Sequence, residues 1–293
     1  GYGRTNAVHT LLTNGVSPHT ADRRGITPLQ AAATDGILRQ TIHQQSGLFA
    51  MAAERQDWIA NRLVAAGARW DPFSAIFLGR TNELSELLNT QPELVHSRHT
   101  LHERVQRQGT PLHYAALYGR SEAVRVLLRH RPPLDATDME GQTALHRAVA
   151  HGHLSVVNML LEAGASVAIA DAGGNTPLHA SASTWGRSTM AALLTRKPEL
   201  EATNRLGQTA LDLASAGSFT NLVSLLIQAG AKLSGATDGK AGVLHAAAEA
   251  GDLATLQLGL ERKLPVDARD EHGRTAFRRA IEKGRLEAAR FLL

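Results

Sequence analysis

Apolar and polar positions along the chain recur in blocks of 33 residues. In the stretch from Thr110 to Arg129, Leu112, Ala115 and Ala116 are spaced for one face of a helix. Gly119 then interrupts, and Val124, Leu127 and Leu128 mark the face of a second helix over 121–129. The opening Thr can accept a bond from an early free N–H as the N-cap, and Pro111 occupies the first helical position, where its missing N–H is harmless. The same opening returns as TALHRA at Thr143, TPLHAS at Thr176, TALDLA at Thr209, GVLHAA at Gly242 and TAFRRA at Thr275. A Leu-Leu pair or a close substitute follows at a fixed offset: Leu127-Leu128, Leu160-Leu161, Leu193-Leu194, Leu226-Ile227 and Leu292-Leu293. Gly164-Ala165 and Gly230-Ala231 close copies, and turns rich in Asp and Gly follow at 138–142, 171–175 and 270–274. A single helix pair of this kind cannot bury its apolar stripe alone, so stacked neighbours must supply the partner surface.

The 33-residue period and the T-P-L-H-x-A signature resemble the ankyrin repeat, over nearly the whole chain. The resemblance implies an all-α fold: a solenoid of helix-turn-helix units joined by hairpin-like turns in a curved stack. Residues 1–26 read as a partial repeat, 27–109 as irregular or divergent repeats, 110–274 as five regular repeats and 275–293 as a partial one. Within the irregular part, TPLQAA at Thr27 is a further copy of the opening. The segments 46–68 and 70–88 each read as a helix pair, and 91–109 as a lengthened connection. Trp58 and Trp70 are expected to fill gaps in that irregular packing.

A histidine four times in one motif invites a catalytic or metal-binding reading. Yet the position of His113, His146, His179 and His245 is held by Gln30, Asp212 and Arg278 in other copies. A base or ligand would not be exchanged so freely along a row of equivalent sites. The family resemblance implies instead that the motif His bonds to the backbone of adjoining turns and ties repeats together.

The resemblance further implies recognition of another protein through the turn tips and the first-helix face. The positions that packing leaves free to vary there are Tyr114, Leu117, Tyr118, Met139, Glu140, Gln142, Arg147, His151, Asn175, Thr184, Arg205, Leu206 and Gln208. Trp185 adds to them, because it stands where other copies carry the helix-ending glycine, as in STWGR against AHGHL, and is expected to protrude. Tyr, Arg, Met and Trp are types enriched at interfaces, which puts the centre of the expected surface within 110–208.

Composition narrows the chemistry. The chain has 293 residues, 43% hydrophobic and 20% charged, with 4% aromatic and no cysteine. That removes disulfides, thiolate catalysis and cysteine metal sites. Its formal charge of +4 is spread over scattered arginines, not gathered in a run, which argues against a nucleic-acid track. No apolar stretch approaches the ~20 residues of a membrane span. Phosphate-binding glycine loops and a G-x-S-x-G nucleophile elbow are absent, so neither a cofactor nor an enzymatic activity is expected. The one histidine cluster outside the motif is His96, His99 and His102; a helical turn there would bring the three to one face as a candidate zinc or nickel site.

The expected protein is a monomeric, cytoplasmic binding module or scaffold, with a bacterial cast to its composition. The chain starts in what reads as the end of a first helix and stops inside a second, which predicts a piece of a longer array. The alternative is a targeting or regulatory repeat region of a larger enzyme or effector.

Overall fold

The computed structural model describes residues 10, 12–21, 26–33, 48–102, 105–183, 186–217, 219–232, 239–270 and 272–293. They belong to two compact units, Gly1–Met139 and Glu140–Leu293.

In the first unit a helical turn at 28–33 starts where Thr27 and Gln30 cap each other: Thr27 N–H donates to Gln30 Oε1 at 2.9 Å, and Gln30 N–H to Thr27 Oγ1 at 3.2 Å. Helix α1 spans Leu48–Ala65, 18 residues without a break. The helix pair expected over 46–68 is therefore one continuous helix. No Gly or Pro lies between 48 and 65, so nothing interrupts its backbone bonding. Two regular pairs follow. Helices α2 (Pro72–Phe77) and α3 (Thr81–Thr90) form the first, capped by Asp71, whose carboxylate accepts from Phe73 N–H at 3.0 Å. Helices α4 (Pro111–Leu117) and α5 (Ser121–Arg129) form the second, with α2 packed on α4 and α3 on α5.

Between the pairs, the lengthened connection folds as a 3₁₀ turn, Pro92–His96, and then as an antiparallel hairpin of β1 (His99–His102) and β2 (Val105–Gly109). His99 is paired with Gly109 and Thr100 with Gln108, and the register is irregular between Thr100 and His102. The all-α solenoid thus carries one two-stranded hairpin among its described residues.

The second unit repeats one module five times: α6 (Ala144–Ala150) with α7 (Leu154–Glu162), α8 (Pro177–Ala182) with α9 (Arg187–Leu194), α10 (Ala210–Ala216) with α11 (Thr220–Gln228), α12 (Gly239–Ala250) with α13 (Leu253–Glu261), and α14 (Ala276–Glu282) with α15 (Leu286–Phe291). First helices stack on first helices and second on second. Leu145, Leu160, Leu178, Leu193, Leu222 and Leu226 are fully buried between them. Each such leucine contributes about 1.5–3 kcal/mol by leaving water.

Departures from the motif have local answers. GVLHAA lacks the Thr-Pro start, and α12 runs back to Gly239, so it is the longest first helix of the unit. Gly259 stands where Leu160, Leu193 and Leu226 stand in other copies. Leu244 and Leu264 close that space, and a Cβ on Gly259 would meet Leu244 Cδ2 at 2.7 Å. No helix among the described residues is long and apolar enough to cross a membrane.

Candidate functional site

The motif histidine has two jobs, one on each ring nitrogen. Within its own copy, Nδ1 accepts the backbone N–H of the capping threonine: Thr110 to His113 at 3.1 Å, Thr143 to His146 at 3.2 Å and Thr176 to His179 at 3.2 Å. An accepting Nδ1 places the ring proton on Nε2. That Nε2–H donates across to a backbone carbonyl of the next turn: His146 to Asn175 at 3.0 Å, His179 to Gln208 at 3.1 Å and His245 to Arg274 at 2.6 Å. The neutral ring satisfies both bonds and the imidazolium only one. Burial pushes the His179 pKa below its ordinary 6.5, against the opposing pull of the Gln208 and Ala202 carbonyls and of Asp171 and Asp212. These histidines are held as structural ties.

The turns that receive these bonds are themselves fixed. Asp171 Oδ1 accepts from Gly173 N–H at 2.9 Å and Asn175 N–H at 2.8 Å, and Asn204 Oδ1 does the same for Leu206 and Gln208 at 2.9 and 3.0 Å. Successive turns join: Ala172 N–H donates to the Glu140 carbonyl and Arg205 N–H to the Gly173 carbonyl, both at 2.9 Å. Asp270 closes the last turn. Burial opposes its charge, but the Arg274 N–H, the Arg279 guanidinium, the His272 N–H and the Arg274 guanidinium outweigh that and hold its carboxyl well below the usual carboxylate range. Arg279 extends the network to Glu249, which Lys283 also holds at 2.9 Å.

Against this frame the expected recognition residues divide. Tyr114 is only 4% exposed; its ring meets Phe73 and Phe77 edge-on at 5.6 and 5.8 Å, and its hydroxyl donates to the His99 carbonyl at 2.7 Å. Tyr118 and Leu117 are half-buried on the same cluster, Tyr118 at 5.4 Å from Phe77. The tyrosine pair therefore packs the first unit, and Tyr114 is not a contact residue for a partner. Arg147 is likewise buried, at 4% exposure, and donates to the Glu140 carboxylate at 3.1 Å. Both corrections share a cause: the long side chain found a partner within its own unit.

Gln142, Asn175 and Gln208 brace turns. Gln142 donates to Asp171, while Asn204 donates to Asn175 Oδ1 and to Gln208 Oε1. Met139 in the first unit is 61% exposed. In the second unit Glu140, His151, Arg205 and Leu206 are exposed, with Leu206 at 81%. His151 stacks on His153 at 6.1 Å and borders an open groove lined by Ala150, Gly152, Gly186, Arg187, Ser188 and Thr189. Nothing in the periodic pattern singled out that groove. Thr184 and Trp185 lie outside the described residues.

The histidine cluster does not assemble as expected. His96 ends the 3₁₀ turn while His99 and His102 belong to β1, so the helical turn that would stack all three does not form. Among the described residues no three His, Cys, Asp or Glu side chains gather as a metal site.

A family model of ankyrin repeats in three copies matches residues 74–171, and another of ankyrin repeats in many copies matches residues 244–293. Together they cover half of the chain, which belongs to the ankyrin-repeat family. Members of this family are generally protein-interaction modules and typically non-catalytic. No curated protein matches the chain.

Proposed function

We propose that this chain binds a partner protein through the turn tips and the exposed part of the first-helix face of its second unit. One observation carries the reading. Leu206, 81% exposed, sits on a turn whose backbone is fixed by Asn204 on one side and by the Gly173 carbonyl on the other. A large apolar side chain held rigidly in water gains by being covered, and a rigid mount lowers the entropy lost on binding. Arg205 beside it is exposed and supplies a charged, many-donor group of the kind enriched at binding hot spots. Glu140 and His151 are further exposed side chains on the turns and first helices of the same unit.

The proposal takes the chain as a cytoplasmic monomer whose partner is a protein and not a nucleic acid or a membrane. Its arginines are dispersed, and nearly all of those in the last module are engaged by carboxylates or backbone carbonyls. The test is affinity capture from a lysate of the source organism, with the chain beside an Arg205→Ala/Leu206→Ala variant. Both residues are exposed, so the variant keeps its fold, and circular dichroism checks that. A protein retained by the natural chain and lost by the variant supports the tip surface. Equal retention by both would move the site elsewhere, and retention by neither would remove the module reading for these tips.

A further inference from the structure

The hairpin of the first unit stands where other modules have a short turn, and His99 holds its base. A lone two-stranded hairpin is marginal in water, so its place depends on its anchors. Three are visible. The Tyr114 hydroxyl donates to the His99 carbonyl at 2.7 Å. The Arg98 guanidinium donates to the Gln108 carbonyl at 3.3 Å and to the Thr137 carbonyl, in the next turn, at 2.8 Å. Finally, the His99 imidazole lies against Phe73, ring centroids 5.1 Å apart.

The third anchor is chemically unusual. His99 Nε2 is buried and has no hydrogen-bond partner among the described residues. A neutral ring tolerates this at a modest cost. A charged ring in the same place is far worse off. Burial accordingly pushes the His99 pKa below 6.5, while the Asp71 carboxylate pulls the other way. Asp71 is already engaged, accepting from Phe73 N–H, Ser74 N–H and the Ser74 hydroxyl. From α4, the Tyr114 hydroxyl points its proton at the His99 carbonyl, and His113 Nδ1 accepts from Thr110. Arg98, one residue before, is a cation held by carbonyls. His99 Nε2 thus has no acceptor for a second ring proton among the described residues.

We propose that His99 is a proton-operated latch for the β1–β2 hairpin. Neutral, its ring stays on Phe73 and the hairpin base is closed. Protonated, the ring leaves for water and the base opens, loosening the strand that Arg98 ties to the turn at Thr137. The free ring titrates near 6.5 and the closed one lower, so protons favour the open form. The latch is closed above pH 6.5 and opens as pH falls below it. At pH 5.5 the opening equilibrium rises by as much as about tenfold over its value near neutrality.

The test is hydrogen exchange on the whole chain between pH 7.5 and 5.5, corrected for intrinsic rates, reading amides in 99–102 and 105–109. Amides in α5, in the same unit, serve as the reference for its overall stability. The expected result is protection lost on acidification in the strands and retained in α5. His99→Phe keeps an aromatic ring on Phe73 and cannot titrate, so its hairpin should stay protected at both pH values. An equal acid response in His99→Phe, or none in the natural chain, overturns the latch. Should the variant misfold, an NMR titration of His99 in the natural chain decides: a value at or above 6.5 is incompatible with the proposal.

Discussion

His179 and Gln208 are 29 residues apart in sequence and joined by one bond, Nε2–H to backbone carbonyl at 3.1 Å. The other ring nitrogen accepts from Thr176, so one side chain closes a helix start and fastens the next turn. Replacing His179 with Ala leaves the Thr176 N–H unpaired in a buried place, while the Gln208 carbonyl keeps the bond from the Asn204 N–H at 2.9 Å. The expected loss is about 1–3 kcal/mol, the cost of one buried donor left unpaired. Urea unfolding measures it, and a loss under half a unit would show that water takes up the Thr176 N–H.

The same geometry sets a pH dependence. His179 has a folded pKa below 6.5, so the unfolded chain takes up the proton first and stability falls as pH drops through and below 6.5. Above 6.5 the contribution is fully present. The slope is at most about 1.4 kcal/mol per pH unit for this one group. His179→Gln provides the control, because Gln30 already performs the capping role with Thr27 and cannot titrate. The urea midpoint of the natural chain should fall more steeply from pH 7 to pH 5 than that of His179→Gln. Parallel curves would assign the acid lability to other groups.

The framework was legible because capping, helix breaks and leucine spacing each act within one 33-residue copy. The predicted second helix over 121–129 is α5 to the residue, and the Thr110 start is the observed cap. What escaped were choices made between copies. Tyr114 and Tyr118 share a helix face in either case; what buries them is Phe73 and Phe77 on a divergent helix about forty residues earlier. The acceptor for the Tyr114 hydroxyl is a strand carbonyl, there only because β1 pairs with β2. Arg147 was drawn inward by Glu140, seven residues before it. Spacing alone is equally compatible with an arginine reaching into solvent.

The glycines of the turns separate two kinds of strain. Gly174 has φ +79°, and a Cβ there would stand 2.8 Å from the Arg205 backbone nitrogen, in the path of the link to Gly173. Gly207 has φ +71° but nothing within 4 Å of its Cβ direction. Gly207→Ala should therefore lose only the left-handed penalty, about 1–2 kcal/mol. Gly174→Ala adds a backbone collision and should lose about 1 kcal/mol more. Thermal melts of the two variants side by side test this ordering. Equal losses would mean that the inter-turn link between Arg205 and Gly173 contributes nothing.

Among the described residues, three that are not glycine share the left-handed conformation: Arg131, Lys197 and Lys263, at φ +50°, +49° and +59°. They occupy the position that Gly164 and Gly230 hold in the intervening copies, just past the second helix. A Cβ in this region disfavours the fold by about 1–2 kcal/mol, while glycine gives up about 0.5–1 kcal/mol in extra unfolded-state freedom. Lys263→Gly should therefore stabilise the chain by roughly half to one kcal/mol. The lysine is exposed and stands two residues past the end of α13, where a cation makes a favourable contact with the helix dipole that is lost with it. High salt screens that contact without touching backbone strain, so the gain of Lys263→Gly should grow as salt is added. A urea series at two ionic strengths measures both effects. A variant less stable at high salt than the natural chain would show that the left-handed lysine is not strained.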